Sequence, residues 1–141
     1  YDFVFEELTP LPDVNAIAGD VVLHAHNCPP IVAPDTVELI VQEIIKMDRM
    51  VQARIETEDW MKIHCPAVDT RTLVDALVET AEGLNPRERG TMKKIIGMVG
   101  RSSWALDKAG DLGDAPRVTR AYREYGDAIE LIRGLFPEFV K

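Results

Sequence analysis

Sulfur and imidazole are scarce in this chain, with two cysteines and three histidines among 141 residues. Two thiols allow at most one disulfide, which excludes a small scaffold held together by several bridges. No apolar run approaches the roughly 20 residues needed to span a bilayer as a helix, so no membrane span is expected. Cations are outnumbered too, 16 Lys and Arg against 24 Asp and Glu, for a formal charge of -8. Nucleic acids and anionic membranes need a basic face, and this balance argues against both as partners. Several familiar signatures are missing from the sequence: Cys-x-x-Cys-His, a helical Glu-x-x-His, His-Glu-x-x-His, a glycine-rich phosphate loop and Gly-x-Ser-x-Gly. Their absence argues against covalent c-type haem, a carboxylate-bridged di-iron bundle, and zincin, P-loop or α/β-hydrolase chemistry. No Asn-x-Ser/Thr sequon occurs, and the first residue is Tyr1 rather than Met, as expected of a processed or excised piece.

What is present describes a globular chain. Hydrophobic residues make up 46% and charged residues 28%, values of a folded protein rather than a disordered one. Its length fits one domain with one core. Residues 1–34 form an extended N-terminal arm in this reading, punctuated by Pro10, Pro12, Pro29, Pro30 and Pro34, with a turn at Gly19-Asp20. If Val21 to His26 is extended, alternation places Val22, His24 and His26 on one face.

Residues 35–141 read as four amphipathic helices. Asp35 followed by Glu38 is a capping-box pattern, with Asp35 as N-cap. From there Val37, Ile40, Val41, Ile44, Asp48, Val51 and Ile55 repeat at helical spacing to about Glu56, with Asp48 the one polar member. A short segment with Trp60, Met61 and Ile63 ends at Cys65-Pro66, since the residue before proline disfavours helix. Asp69 opens a second helix carrying Leu73, Leu77, Thr80 and Leu84. Asn85, Pro86 and Glu88 form the strongest helix start, with Asn85 as cap, Pro86 at N1 and Glu88 at N3. Met92, Ile95, Ile96, Val99 and Leu106 make the third stripe. Gly90, Gly97 and Gly100 each cost about 1 kcal/mol relative to Ala in a helix, which predicts close approach of a neighbouring helix. After a Gly110–Asp114 loop, Val118, Ala121, Tyr122, Tyr125, Ala128, Ile129, Ile132 and Leu135 form the most regular stripe, closed by Phe136-Pro137. The expected fold class is all-α, an antiparallel four-helix bundle. Trp60, Trp104, Tyr122 and Tyr125 are core or interface aromatics in this reading, and Met47, Met50 and Met61 share a helical face as core filler or as thioether donors.

The scarce His and Cys residues fall in two clusters, His24-Ala25-His26-Asn27-Cys28 and His64-Cys65. Nitrogen and sulfur donors suit borderline and soft metals. One reading is therefore a transition-metal site for Ni, Cu or Zn, with His24, His26 and Cys28 as primary ligands. His64 or Cys65 would complete it, from the same chain or from a second copy in a homo-oligomer. Joining the clusters within one chain demands two reversals: the proline-rich segment 29–34 must fold back along the bundle, and residues 57–64 must turn back after the first helix. The competing reading is a non-enzymatic interaction or sensory bundle with a Cys28–Cys65 disulfide pinning the arm. A Cys nucleophile has little to support it, because the adjacent His64 is poorly placed to act as its base.

At Val22-Leu23-His24-Ala25-His26, followed by Cys28, prolines and a long first helix, the chain resembles nickel superoxide dismutases. Precursors of that family carry a similar Ala-His step before a four-helix bundle. Ala105-Leu106-Asp107-Lys108-Ala109, a Gly/Asp loop and an amphipathic closing helix are similar in pattern as well. The family's hook reads His-Cys-x-x-Pro-Cys-Gly-x-Tyr. His26 matches its first position, Asn27 stands where the first Cys belongs, Cys28 is displaced by one, and the second Cys and the Tyr are missing. The resemblance implies the bundle, and a redox metal of superoxide dismutase type only where two thiolates and a freed amine are available.

Overall fold

The computed structural model describes residues 28–140. The chain divides into two units, Tyr1–Pro30 and Ile31–Lys141, and every helix among the described residues belongs to the second. The expected Gly19-Asp20 turn and the extended stretch with His24 and His26 lie outside the described residues.

Four helices and no strand occur among the described residues, so the all-α expectation holds. They are α1 (Val37–Glu56), α2 (His64–Thr80), α3 (Pro86–Leu112) and α4 (Ala115–Leu135), with 3-10 turns at Trp60–Lys62 and Pro137–Phe139. Each helix packs on the next, and α1 also meets α4. No helix among the described residues is long and apolar enough to cross a membrane.

The helix starts show how local chemistry sets the boundaries. At α1 the cap is Thr36 rather than Asp35; its hydroxyl accepts from the Leu39 amide at 3.2 Å. At α3 the expected capping box forms: Asn85 Oδ1 accepts from the Glu88 amide at 2.8 Å, and Glu88 Oε1 accepts from the Asn85 amide at 2.9 Å. Asp114 caps α4 by accepting from the Arg117 amide at 3.2 Å. α2 begins five residues earlier than Asp69, at His64, and takes Cys65-Pro66 into its first turn. A first-turn amide has no intrahelical partner to lose, so proline is tolerated there. α3 also runs on to Leu112, where Gly113 in the left-handed region (φ 65) stops it.

The core is assembled from the predicted stripes. Ile40, Val41, Ile44 and Val51 of α1, Leu73 and Leu77 of α2, Ile95, Val99 and Leu106 of α3, and Val118, Ile129 and Ile132 of α4 are buried in it. Ile96 departs from its stripe and is 37% exposed. The expected close approach at Gly90, Gly97 and Gly100 is absent: a side chain at Gly90 or Gly100 meets nothing within 4 Å, and one at Gly97 meets only Arg101 of the same helix. The close approach is instead at Gly110, where a Cβ would lie 2.7 Å from the Trp60 carbonyl oxygen. The 3-10 turn after α1 thus rests directly on α3.

Candidate functional site

Both reversals expected of a joined chain are made. Ile31, Val32 and Pro34 line one concavity with Leu39, Met47 and Leu73, so the segment before α1 runs back alongside that helix. After α1 the chain turns through Glu58, whose φ is 55, before the Trp60–Lys62 turn delivers His64 and Cys65 to the start of α2. Cys28 and Cys65 are joined in a disulfide.

That bond corrects the metal reading. Thiolates, not disulfide sulfurs, are the donors such a site needs, and both cysteines are consumed. Among the described residues no group of three or more His, Cys, Asp and Glu side chains converges to hold a metal ion. Cys28, Cys65 and His64 therefore do not form the expected ligand set, and His24 and His26 lie outside the described residues. The methionines do not converge either: Met47 is buried, Met50 is half-buried against the core, and Met61 is exposed on the 3-10 turn.

His64 has a different employment. It is 9% exposed, and its Nδ1 lies 2.5 Å from Asp107 Oδ1 of α3. This pair ties the first turn of α2 to α3 and orients the imidazole, as a carboxylate partner commonly does. Asp69, one and a half turns along α2, completes a small acidic surround. Partial burial pushes its carboxyl above the usual range, and the nearby His64 charge pulls it partly back. Neither aspartate stands out in the sequence as a partner for His64, since the pairing with Asp107 spans 43 residues.

A second polar cluster is built into the core. Asp48 of α1 is 3% exposed and accepts from Tyr122 Oη of α4 at 2.7 Å and from Gln52 Nε2 at 2.8 Å. Tyr125, fully buried, meets Thr70 of α2 across 2.7 Å, and the Thr70 hydroxyl donates to the Pro66 carbonyl at 2.8 Å. Both phenols are held well above the ordinary tyrosine range. Burial is the main cause in each; for Tyr122 the hydrogen bond to Asp48 and that carboxylate's charge reinforce it, and for Tyr125 the Thr70 hydrogen bond opposes it. The sequence signal for this cluster is the single polar residue in the first apolar stripe.

Among the described residues, two further surface concavities involve α3. Between α3 and α4, Ala105, Ala109 and Ala121 floor a groove of about 350 Å³ whose walls are Trp104, Lys108, Arg117 and Arg120. Trp104 is 63% exposed, and the Lys108 ammonium stands 5.2 Å from its ring centroid. Arg117 pairs with Asp114 at 3.3 Å. At the junction of α2 and α3, Val78, Ala81, Leu84, Met92 and Ile96 line a cleft of about 310 Å³, with Arg89 and Lys93 beside them. Comparison with known protein families, curated proteins and solved structures finds no match to this chain, and so nothing there bears on the resemblance to nickel superoxide dismutases.

Proposed function

We propose that this chain works by binding: it is a disulfide-stapled helical interaction domain whose α3–α4 groove receives an acidic polypeptide segment. The observation that carries this reading is Trp104, a large aromatic left outside a well-packed core and surrounded by Lys108, Arg117 and Arg120. Trp and Arg are the residue types that dominate interface energetics, because they combine a large apolar area with directed polar contacts. The alanine floor lets a partner backbone approach closely. The chain's overall negative charge opposes an acidic partner at long range, so the local cations must act within about a Debye length, roughly 8 Å at physiological salt.

The test is fluorescence anisotropy with a labelled peptide of alternating Glu and Phe, beside a matched peptide of alternating Lys and Phe. The acidic peptide should bind, and Trp104→Ala or Arg120→Glu should each weaken it about tenfold or more. Equal binding of the two peptides, no binding of the acidic one, or unchanged affinity in both variants would reject the reading.

A further inference from the structure

The α2–α3 junction lies apart from the Trp104 groove and carries its own chemistry. Along α3, Arg89, Met92, Lys93 and Ile96 fall at i, i+3, i+4 and i+7, one face of the helix, so cationic and apolar side chains alternate beside the same cleft. Across it stand Val78 near the end of α2 and Ala81 and Leu84 of the connecting loop. Ile96 and Val78 are exposed here although both belong to otherwise core-facing helices. The charge is also locally reversed: residues 86–101 hold Arg87, Arg89, Lys93, Lys94 and Arg101 against the single acid Glu88, in a chain that is acidic as a whole. Of these, Arg101 is paired with Glu124 of α4 at 2.7 Å, whereas Arg87, Arg89, Lys93 and Lys94 form no ion pair among the described residues. One Arg89 nitrogen donates to the Leu84 carbonyl at 2.6 Å, which holds the guanidinium beside the cleft with further donors to offer.

We propose that this cleft binds a small amphiphilic carboxylate, its aliphatic body against Val78, Leu84, Met92 and Ile96 and its carboxylate held by Arg89 and Lys93. A volume of about 310 Å³ is at the small end of ligand sites, which suits a short free acid. An anion rather than a neutral amphiphile is specified by the two cations, whose unoccupied donors favour a carboxylate through charge-assisted hydrogen bonds.

The test is a titration of ¹⁵N-labelled protein, disulfide intact, with sodium octanoate, followed by amide chemical shifts. Shifts should centre on residues 78–96, and octanol should bind about tenfold more weakly than octanoate. Arg89→Gln with Lys93→Gln should remove that preference. Lys93→Gln alone, which leaves the Arg89 bond to Leu84 in place, should weaken octanoate several-fold. Equal affinity for octanoate and octanol, unchanged affinity in both variants, or shifts centred elsewhere would overturn the proposal. So would shifts of the same residues by phosphatidylglycerol vesicles without any effect of octanoate, since that pattern marks a lipid surface as the partner.

Discussion

At the scale of single residues, the most informative side chain is Asp48, a carboxylate inside an apolar stripe. A buried carboxyl group is tolerated when it is hydrogen-bonded, and here Tyr122 donates to one Asp48 oxygen and Gln52 to the other. This makes the two neighbouring tyrosines unequal in a way that burial alone would reverse. Tyr125 is the more deeply buried, yet Tyr125→Phe leaves Thr70 still donating to the Pro66 carbonyl, and should cost about 1 kcal/mol. Tyr122→Phe takes a donor from a buried carboxylate and should cost about 2–3 kcal/mol. Urea unfolding of the two variants gives the comparison, and an equal or inverted order would show that Asp48 draws little from the phenol. The stripe carries the clue to this cluster, because a lone Asp among Ile and Val needs a partner. It cannot say which residue answers, as Tyr122 lies 74 residues away in sequence.

At the scale of the helices, the legible part is what is encoded within one or two turns. The Asn85–Pro86–Glu88 start and the α4 stripe are local patterns, and the structure keeps both. Sequence and structure part where a local rule meets a different context. The penalty before proline applies inside a helix, whereas Pro66 sits in a first turn, so α2 starts at His64 rather than Asp69. The glycines of α3 divide in the same way. Helix propensity marks Gly90 as a packing device, but its surroundings are open, whereas Gly110, which reads as loop, is the site of real contact. Gly90→Ala should therefore stabilise the protein by about 0.5–1 kcal/mol through helix propensity alone. Gly110→Ala should destabilise it by about 1–3 kcal/mol, because the Trp60 carbonyl must move to admit the methyl group. Thermal melts of the two variants should shift in opposite directions; a shared direction would mean that α3 and the Trp60 turn do not meet as described.

At the scale of the whole molecule, the Cys28–Cys65 bond overturns the metal reading of the His and Cys clusters and supplies the disulfide of the competing one. A straight α1 of 20 residues, about 30 Å long, separates the two cysteines unless the chain doubles back at each end. Backbone reversals of this kind depend on tertiary packing of Ile31 and Ala33 against the core and on the turn through Glu58, neither of which periodicity reports. Once both reversals are made, the cysteines serve as a staple. In the chain-entropy model a loop of this length stabilises the native state by about 3–4 kcal/mol, chiefly by restricting the unfolded chain. Removing it in a Cys28→Ser, Cys65→Ser variant should lower the free energy of unfolding by that amount while leaving the helical circular dichroism of the native state unchanged, since the four helices bury their stripes against one another. Denaturant titration of the oxidised protein, the reduced protein and the double variant checks this. Agreement between the last two, both below the first, assigns the loss to the bond. A loss of helical signal on reduction would show that the bundle cannot hold its own core, and equal stability in all three would show that the turns at Ile31–Pro34 and Glu58 are held by packing alone.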